Sequence, residues 1–354
     1  MSDDDALDPF RTGGHPLHTR TLVIDVAAAG PGRIRAQGTI LDLRKCGFVP
    51  TGGDLQTAGF VHHMQLDALI DSADAVLLQL DVSQPTVAME PSSATGGECC
   101  RDPAPRLQEL VSQPVAGDFA KRLGRAFGGP LGCSHLLTLA QLLGSTVPRL
   151  LAAEARGNAP LREPGERIWK RALFLDGFEA AEARMDLAIQ LSEFQTRPRR
   201  QTTQPLERLA LQHEVRVTES VDLATMTVLA LNASERQRDI TSLGSSPWRS
   251  RRADLAPLVG GPALRGMAAR LFERFGSETA DRPLLDALLN LAPGQIQSMA
   301  GLANRMMERF QAGAPAEGRV PSELSVGGMP DSCYMWRSDG AAARLRADYT
   351  PEEN

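Results

Sequence analysis

The sequence predicts an α+β protein built from two tandem copies of an antiparallel sheet backed by helices. Three observations carry that prediction. Apolar and polar residues alternate in short runs broken by Gly and Pro, the pattern of strands with one wet face. Each set of runs is followed by segments with apolar residues at four-residue spacing, as on helices. The whole order then recurs in the second half of the chain, the mark of an internal repeat.

The elements follow in order. Residues 1–17 are polar, carry Gly13-Gly14 and two prolines, and read as a flexible leader. Leu22, Ile24 and Val26 alternate along a first strand; Gly30-Pro31-Gly32 turns the chain; Ile34, Ala36, Gly38 and Ile40 form the second strand of a hairpin. A Gly/Pro-rich link, Val49-Pro50-Thr51-Gly52-Gly53, leads to a third strand through His62-His63-Met64, and Val76, Leu78, Leu80 and Val82 make a fourth. Residues 85–106 form a loop holding Cys99-Cys100. A helix opens near Pro114, repeats Phe119, Leu123 and Phe127, and stops at Gly128-Gly129. A second starts with Ser134 as N-cap, presents Leu136, Leu139 and Leu143, and ends at Gly144.

The recurrence is detailed. Arg171 stands 151 positions after Arg20, and Glu193 stands 151 after Asp42. His213 answers His63, while Met267, Leu271 and Phe275 answer Phe119, Leu123 and Phe127 at a spacing of 148. The predicted organisation is therefore a leader over 1–17, a first repeat over 18–155, a degenerate second repeat over 165–312 and a tail over 313–354 that holds Cys333. Within the second repeat, Met306-Met307 fall on a helix-like run with Leu302 and Phe310 and read as core.

Composition narrows the function classes. At 354 residues the chain can bury a large core, and its 42% hydrophobic and 23% charged residues are those of a soluble globular protein. A net charge of −5 speaks against broad nucleic-acid binding, which needs a basic face. The local clusters Arg197, Arg199, Arg200 and Arg249, Arg251, Arg252 lie among Pro, Gln and Ser and read as solvated loops. No apolar run approaches the roughly 20 residues that span a bilayer. The start is acidic rather than basic then apolar, and five cysteines are no disulfide framework, so a cytoplasmic protein with reduced thiols is expected.

The densest chemistry lies in Gly128-Gly129-Pro130-Leu131-Gly132-Cys133-Ser134-His135. Here the two repeats disagree: Cys133 faces Asp281, and His135 faces Pro283. Four of five cysteines and five of six histidines lie in the first half, which points to a site there and to a second half kept for packing. One reading is a metal site drawn from Asp42, His63, Cys99, Cys100, Cys133, His135 and Cys333, ligand types that suit Zn or Fe. Another is a thiol-dependent enzyme, with Cys133 as nucleophile at a helix entry, His135 or His63 as base, and Asp42 orienting it. A third is a binding or accessory module without chemistry, in which Cys133 is simply buried, His135 caps the turn, and the occupant is a small ligand, a protein partner or a second copy. His15, His18 and His62 read as exposed strand or leader residues, Cys46 as structural, and Trp248 and Trp336 as loop residues.

Several of these segments together resemble a known family. They are Thr19-Arg20, Gln37-Gly38-Thr39-Ile40-Leu41-Asp42-Leu43-Arg44, His62-His63-Met64 with Leu66-Asp67, the loop cysteine at 99 or 100, and Gly132-Cys133-Ser134-His135-Leu136. Asp331-Ser332-Cys333 followed by Arg337-Ser338-Asp339-Gly340 is similar to its closing segment, with Tyr334 where His is usual. The family is the bacterial domain of unknown function 2889, with its Gly-Cys-Thr-His-Leu motif. The resemblance implies a bacterial source and the same motif residues, and it implies no activity.

Overall fold

The computed structural model describes residues 13–51, 54–156, 162–180, 183–276, 281–303 and 329–342. Positions 1–12 of the expected leader and the Met306-Met307 run lie outside these. Nine strands form one antiparallel sheet: β1 (His15–Ala28), β2 (Arg33–Thr51), β3 (Asp54–Asp71), β4 (Leu77–Thr86), β5 (Arg167–Ala180), β6 (Arg184–Thr196), β7 (Leu209–Asp222), β8 (Thr227–Arg238) and the two-residue β9 (Arg249–Ser250). Their spatial order is β4-β3-β2-β1-β5-β6-β7-β8-β9, so each half is a meander that starts at the centre and walks outwards. The α+β class predicted from the sequence is what the structure has, with one change. The two expected sheets are a single sheet, because β1 pairs with β5 along its length. That pairing removes two edges whose backbone N–H and C=O groups would otherwise be unpaired.

Helices cover one face. In the first half these are α1 (Phe119–Phe127) and α2 (Ser134–Arg156); in the second they are α3 (Arg252–Leu255), α4 (Met267–Phe275), α5 (Arg282–Leu288) and α6 (Leu291–Ala300). Strand alternation decides what meets them. Leu22, Ile24 and Val26 of β1, Ile40 of β2, Met64 and Leu66 of β3, and Leu173, Leu175, Leu187, Ile189, Val215 and Val217 of the second half are all buried with the inward helix faces in one continuous core. At roughly 25 cal/mol per Å² of apolar area removed from water, such a core is the main source of stability.

Three local expectations change. The first strand begins at His15, inside the expected leader. Pro114 does not open α1 but bridges to Val76, and α1 starts at Phe119. The second helix does not end at Gly144: α2 runs on to Arg156 through Pro148. Gly144 is a contact glycine, since a methyl there would run into the ring of Phe119. The Ser134–Ala155 stretch is thereby long and apolar enough to cross a membrane, contrary to the sequence reading, but half of it is buried against the rest of the fold. Arg149, on this helix, reaches the second half through a charged pair.

Candidate metal centre

The alternation that buries Leu22 and Ile24 also turns His18 and Arg20 inward, and both are buried. Asp42 shares the inward face of β2 with Ile40, and His62 shares that of β3 with Met64. The register places Arg20 opposite Asp42 and Asp42 opposite His62, so three adjacent strands bring a cation, a carboxylate and an imidazole into one row. His135 enters from above, at the start of α2, just after the Gly-rich turn. Gly132 in that turn closely abuts Phe127, leaving no room for a side chain.

Asp42 is the hub and is fully buried. Its Oδ1 accepts hydrogen bonds from His18 Nε2 and Arg20 Nε, each at 2.8 Å. Its Oδ2 accepts from Arg20 Nη2 at 3.1 Å and faces His135 Nε2 at 3.2 Å and His62 Nδ1 at 3.5 Å. The His62 and His135 rings lie with centroids 3.7 Å apart. A carboxylate offers about four lone-pair directions. His18 and Arg20 take three, which leaves the fourth, on Oδ2, to the side of the two imidazoles. His62 Nδ1, His18 Nδ1 and Arg20 Nη1 are buried without a hydrogen-bond partner.

Charge follows from burial. Burial pushes the His135 imidazole down to about 3, with His62 beside it adding to the effect. Burial likewise lowers His18, partly opposed by its bond to Asp42. For Asp42 burial would raise the carboxyl, but Arg20 and the three imidazoles hold it well below the usual carboxylate range. At neutral pH the hub is therefore an ionised carboxylate beside a neutral His135, the protonation states in which both side chains ligate metals.

The sequence-predicted residues divide. Among the described residues one group of ligating side chains converges, Asp42, His62 and His135, with its ligand atoms all within 4.8 Å of one another. Asp42 and His135 were expected there. The expected His63 does not join them: His62, one position earlier, shares the helix-covered face with Met64, while His63 lies half-buried and bonds Gln65 at 3.2 Å. Strand side chains alternate between faces, so a slip of one residue moves a side chain across the sheet. His18 was likewise read as exposed and is fully buried.

Among the described residues no cysteine joins the converging group. Cys133 Sγ lies 3.9 Å from His135 Nδ1 and 3.8 Å from Met64 Sδ. Cys99 donates to Asp102 Oδ1 at 3.1 Å, and Cys100 packs against the core. Cys333 belongs to the first half's surroundings: the backbone N–H of Tyr334 donates to Gly132 O at 2.7 Å, and Arg337 binds Glu98. Cys46 donates to Gly301 O at 3.8 Å. Burial drives the Cys133 thiol up to about 12, outweighing the α2 N-terminal N–H groups of Leu136 and His135 that favour its thiolate. Burial raises Cys99, Cys100 and Cys333 as well. Burial of Cys133 thus works against the thiolate that a helix entry favours.

Three members of the centre, His18, Arg20 and His62, escaped the sequence reading as site residues. The signal was present. Each continues the inward parity of a strand whose apolar residues are plain, and a charged or polar residue on a buried row needs a partner.

Comparison with known proteins agrees with the resemblance. Residues 18–148 match the family model described as "Protein of unknown function (DUF2889)". The match contains Asp42, His62, Cys133 and His135, and ends inside α2. No curated protein matches the chain.

Proposed function

We propose that the first half of this protein binds a divalent transition metal, Zn or Fe, through Asp42, His62 and His135. The observation that carries this reading is the convergence of three ligand atoms within 4.8 Å, all on buried residues. At metal–ligand lengths of about 2.0–2.2 Å, neighbouring ligand atoms of a tetrahedral ion lie roughly 3.3–3.5 Å apart. The separations of 3.2 Å and 3.5 Å from Asp42 Oδ2 to the two imidazole nitrogens fit that spacing. Two imidazoles and one carboxylate are a donor set that both Zn and Fe(II) accept.

Arg20 and His18 supply the outer contacts that hold a ligating carboxylate in place. Arg20 also cancels the charge of Asp42, so a bound dication leaves the centre positive. That favours an anionic small molecule as the remaining occupant, which unites the metal and small-ligand readings. Cys133, next to His135, is a thiol that a nearby metal would deprotonate.

Elemental analysis of untagged protein tests the proposal. Wild type is expected to hold about one equivalent of Zn or Fe, and Asp42→Asn and His135→Ala to hold little. Less than about one-tenth of an equivalent in wild type, unchanged after incubation with either metal, sinks it.

A further inference from the structure

The first-half centre has one more polar neighbour, and it comes from the other half of the chain. The amide nitrogen of Gln297, on α6, lies 3.3 Å from His135 Nε2. This separation repeats the spacing between that nitrogen and Asp42 Oδ2, 3.2 Å. We propose that Gln297 is the fourth ligand of the centre, a neutral oxygen donor once its amide is turned, so that the site is complete only when both halves are present. The inference rests on the metal reading above.

The reciprocity of the fold supports it. In the β1–β5 pairing Leu22 lies opposite Leu173, which stands 151 positions after it. Arg20 then pairs with Leu175 and Ile24 with Arg171, and exchanging each residue for the one 151 positions away turns one pair into the other. That is the signature of an isologous two-fold contact, here within one chain. The helices obey the same exchange. Arg149 of the first half crosses to Glu193 with bonds of 2.7 and 2.8 Å. Gln297 stands 148 positions after Arg149, the spacing that relates α1 to α4, and crosses the other way to the centre at Asp42. Each half therefore lends a helix residue, Arg149 of α2 or Gln297 of α6, to the polar centre of the other. Arg149 brings a charge that closes its centre by ion pairing, whereas Gln297 brings an uncharged group able to ligate.

Cobalt(II) titration of the full chain, followed by visible absorption, tests the assignment, because the ligand-field band reports the donor set. Gln297→Ala is expected to weaken cobalt binding about ten- to a hundredfold and to shift the band. Gln297→Glu, which keeps an oxygen donor, should restore affinity to within about threefold. Arg149→Ala should leave the band unchanged. If Gln297→Ala binds like wild type in both affinity and band while Asp42→Asn does not bind, the assignment is overturned and the metal reading stands. A wild-type chain that takes up neither cobalt nor zinc overturns both. Melting curves by circular dichroism establish that each variant is folded before it is scored.

Discussion

The Asp42 and Glu193 centres occupy corresponding rows of the two halves and solve one electrostatic problem in two ways. Each places an arginine opposite an acidic residue on neighbouring strands, Arg20 with Asp42 and Arg171 with Glu193, with a histidine on the next strand, His62 and His213. Taking such a pair out of water costs several kcal/mol per ion and must be offset by hydrogen bonds. The second half offsets it with charge. Glu193 binds both Arg171 and Arg149, and Arg171 continues to Asp286 at 2.7 Å and Ser145 Oγ at 2.6 Å. Burial would raise the Glu193 carboxyl, and the two guanidiniums hold it below its usual range. The position of Cys133 is held by Asp281, which pairs with Arg251 at 2.9 Å. The first half instead surrounds one carboxylate with one guanidinium and three imidazoles; each centre's arginine keeps one unpartnered nitrogen, Arg20 Nη1 and Arg171 Nη2, but only the first half adds unpartnered imidazole nitrogens, those of His18 and His62. The lesson is that a shared buried ion pair marks the scaffold, whereas the unpartnered imidazoles beside it mark the candidate site.

The strongest way to break this comparison is to remove the acids. Glu193→Gln leaves Arg149 without its acid and a fully buried Arg171 with Asp286 alone, and should destabilise the protein by about 3–5 kcal/mol in urea unfolding. Asp42→Asn leaves the buried Arg20 without its carboxylate partner, so its cost should fall in the same range of about 3–5 kcal/mol. Added zinc should raise the unfolding midpoint of wild type and Glu193→Gln, because a ligand that binds only the folded state stabilises it, and should leave Asp42→Asn unmoved. Equal zinc responses in all three proteins would place the metal elsewhere.

A smaller effect sharpens the comparison in the core. The first half packs Phe119 against Gly144, and the second half has Met267 and Ala292 at the corresponding positions. Gly144→Ala alone should cost about 1–3 kcal/mol by overpacking the ring. The pair Gly144→Ala with Phe119→Met, which copies the second half, should recover most of that loss. A double variant as unstable as the single one would mean that the halves pack this corner differently.

How far the sequence disclosed this structure depends on the kind of signal. Strand parity and four-residue spacing are local, so the antiparallel strands and α1 and α2 were legible from Leu22, Ile24, Val26, Phe119 and Leu123. The end of α2 was not, because Gly144 answers to the ring of Phe119, a contact that no local pattern contains. Asp42, Cys133 and His135 were legible as candidates from their setting and from what stands opposite them in the later half. The choice between His62 and His63 rested on the parity of Met64 and Leu66 alone, next to the point where the β2–β3 ladder shifts between Asp42 and Leu43. Gln297 was invisible, since only the β1–β5 pairing brings α6 near His135.

The mildest prediction concerns a position where the second half is the more polar of the two. Glu219 on β7 is buried, and Gln295 of α6 donates to it at 2.6 Å. The corresponding residues of the first half, Ala68 and Val147, are both buried and apolar. Burial raises the Glu219 carboxyl to about 8, with the Gln295 amide opposing. A carboxyl whose folded value lies above its unfolded one is protonated in the folded state while the unfolded chain has already ionised. Its stabilising contribution is complete below about 4.5 and is lost as pH rises through about 8. In that window stability should fall by at most about 1.4 kcal/mol per pH unit from this group. Glu219→Gln keeps the amide contact and removes the proton, so the difference between variant and wild type should grow in the variant's favour from pH 5 to pH 8. Urea midpoints that track each other across that range would show that Glu219 ionises normally. The first half, with Ala68 and Val147 at the same place, has no such alkaline weakness. Its own sensitivity lies on the acid side, where His18 and His135 must take up protons that burial denies them.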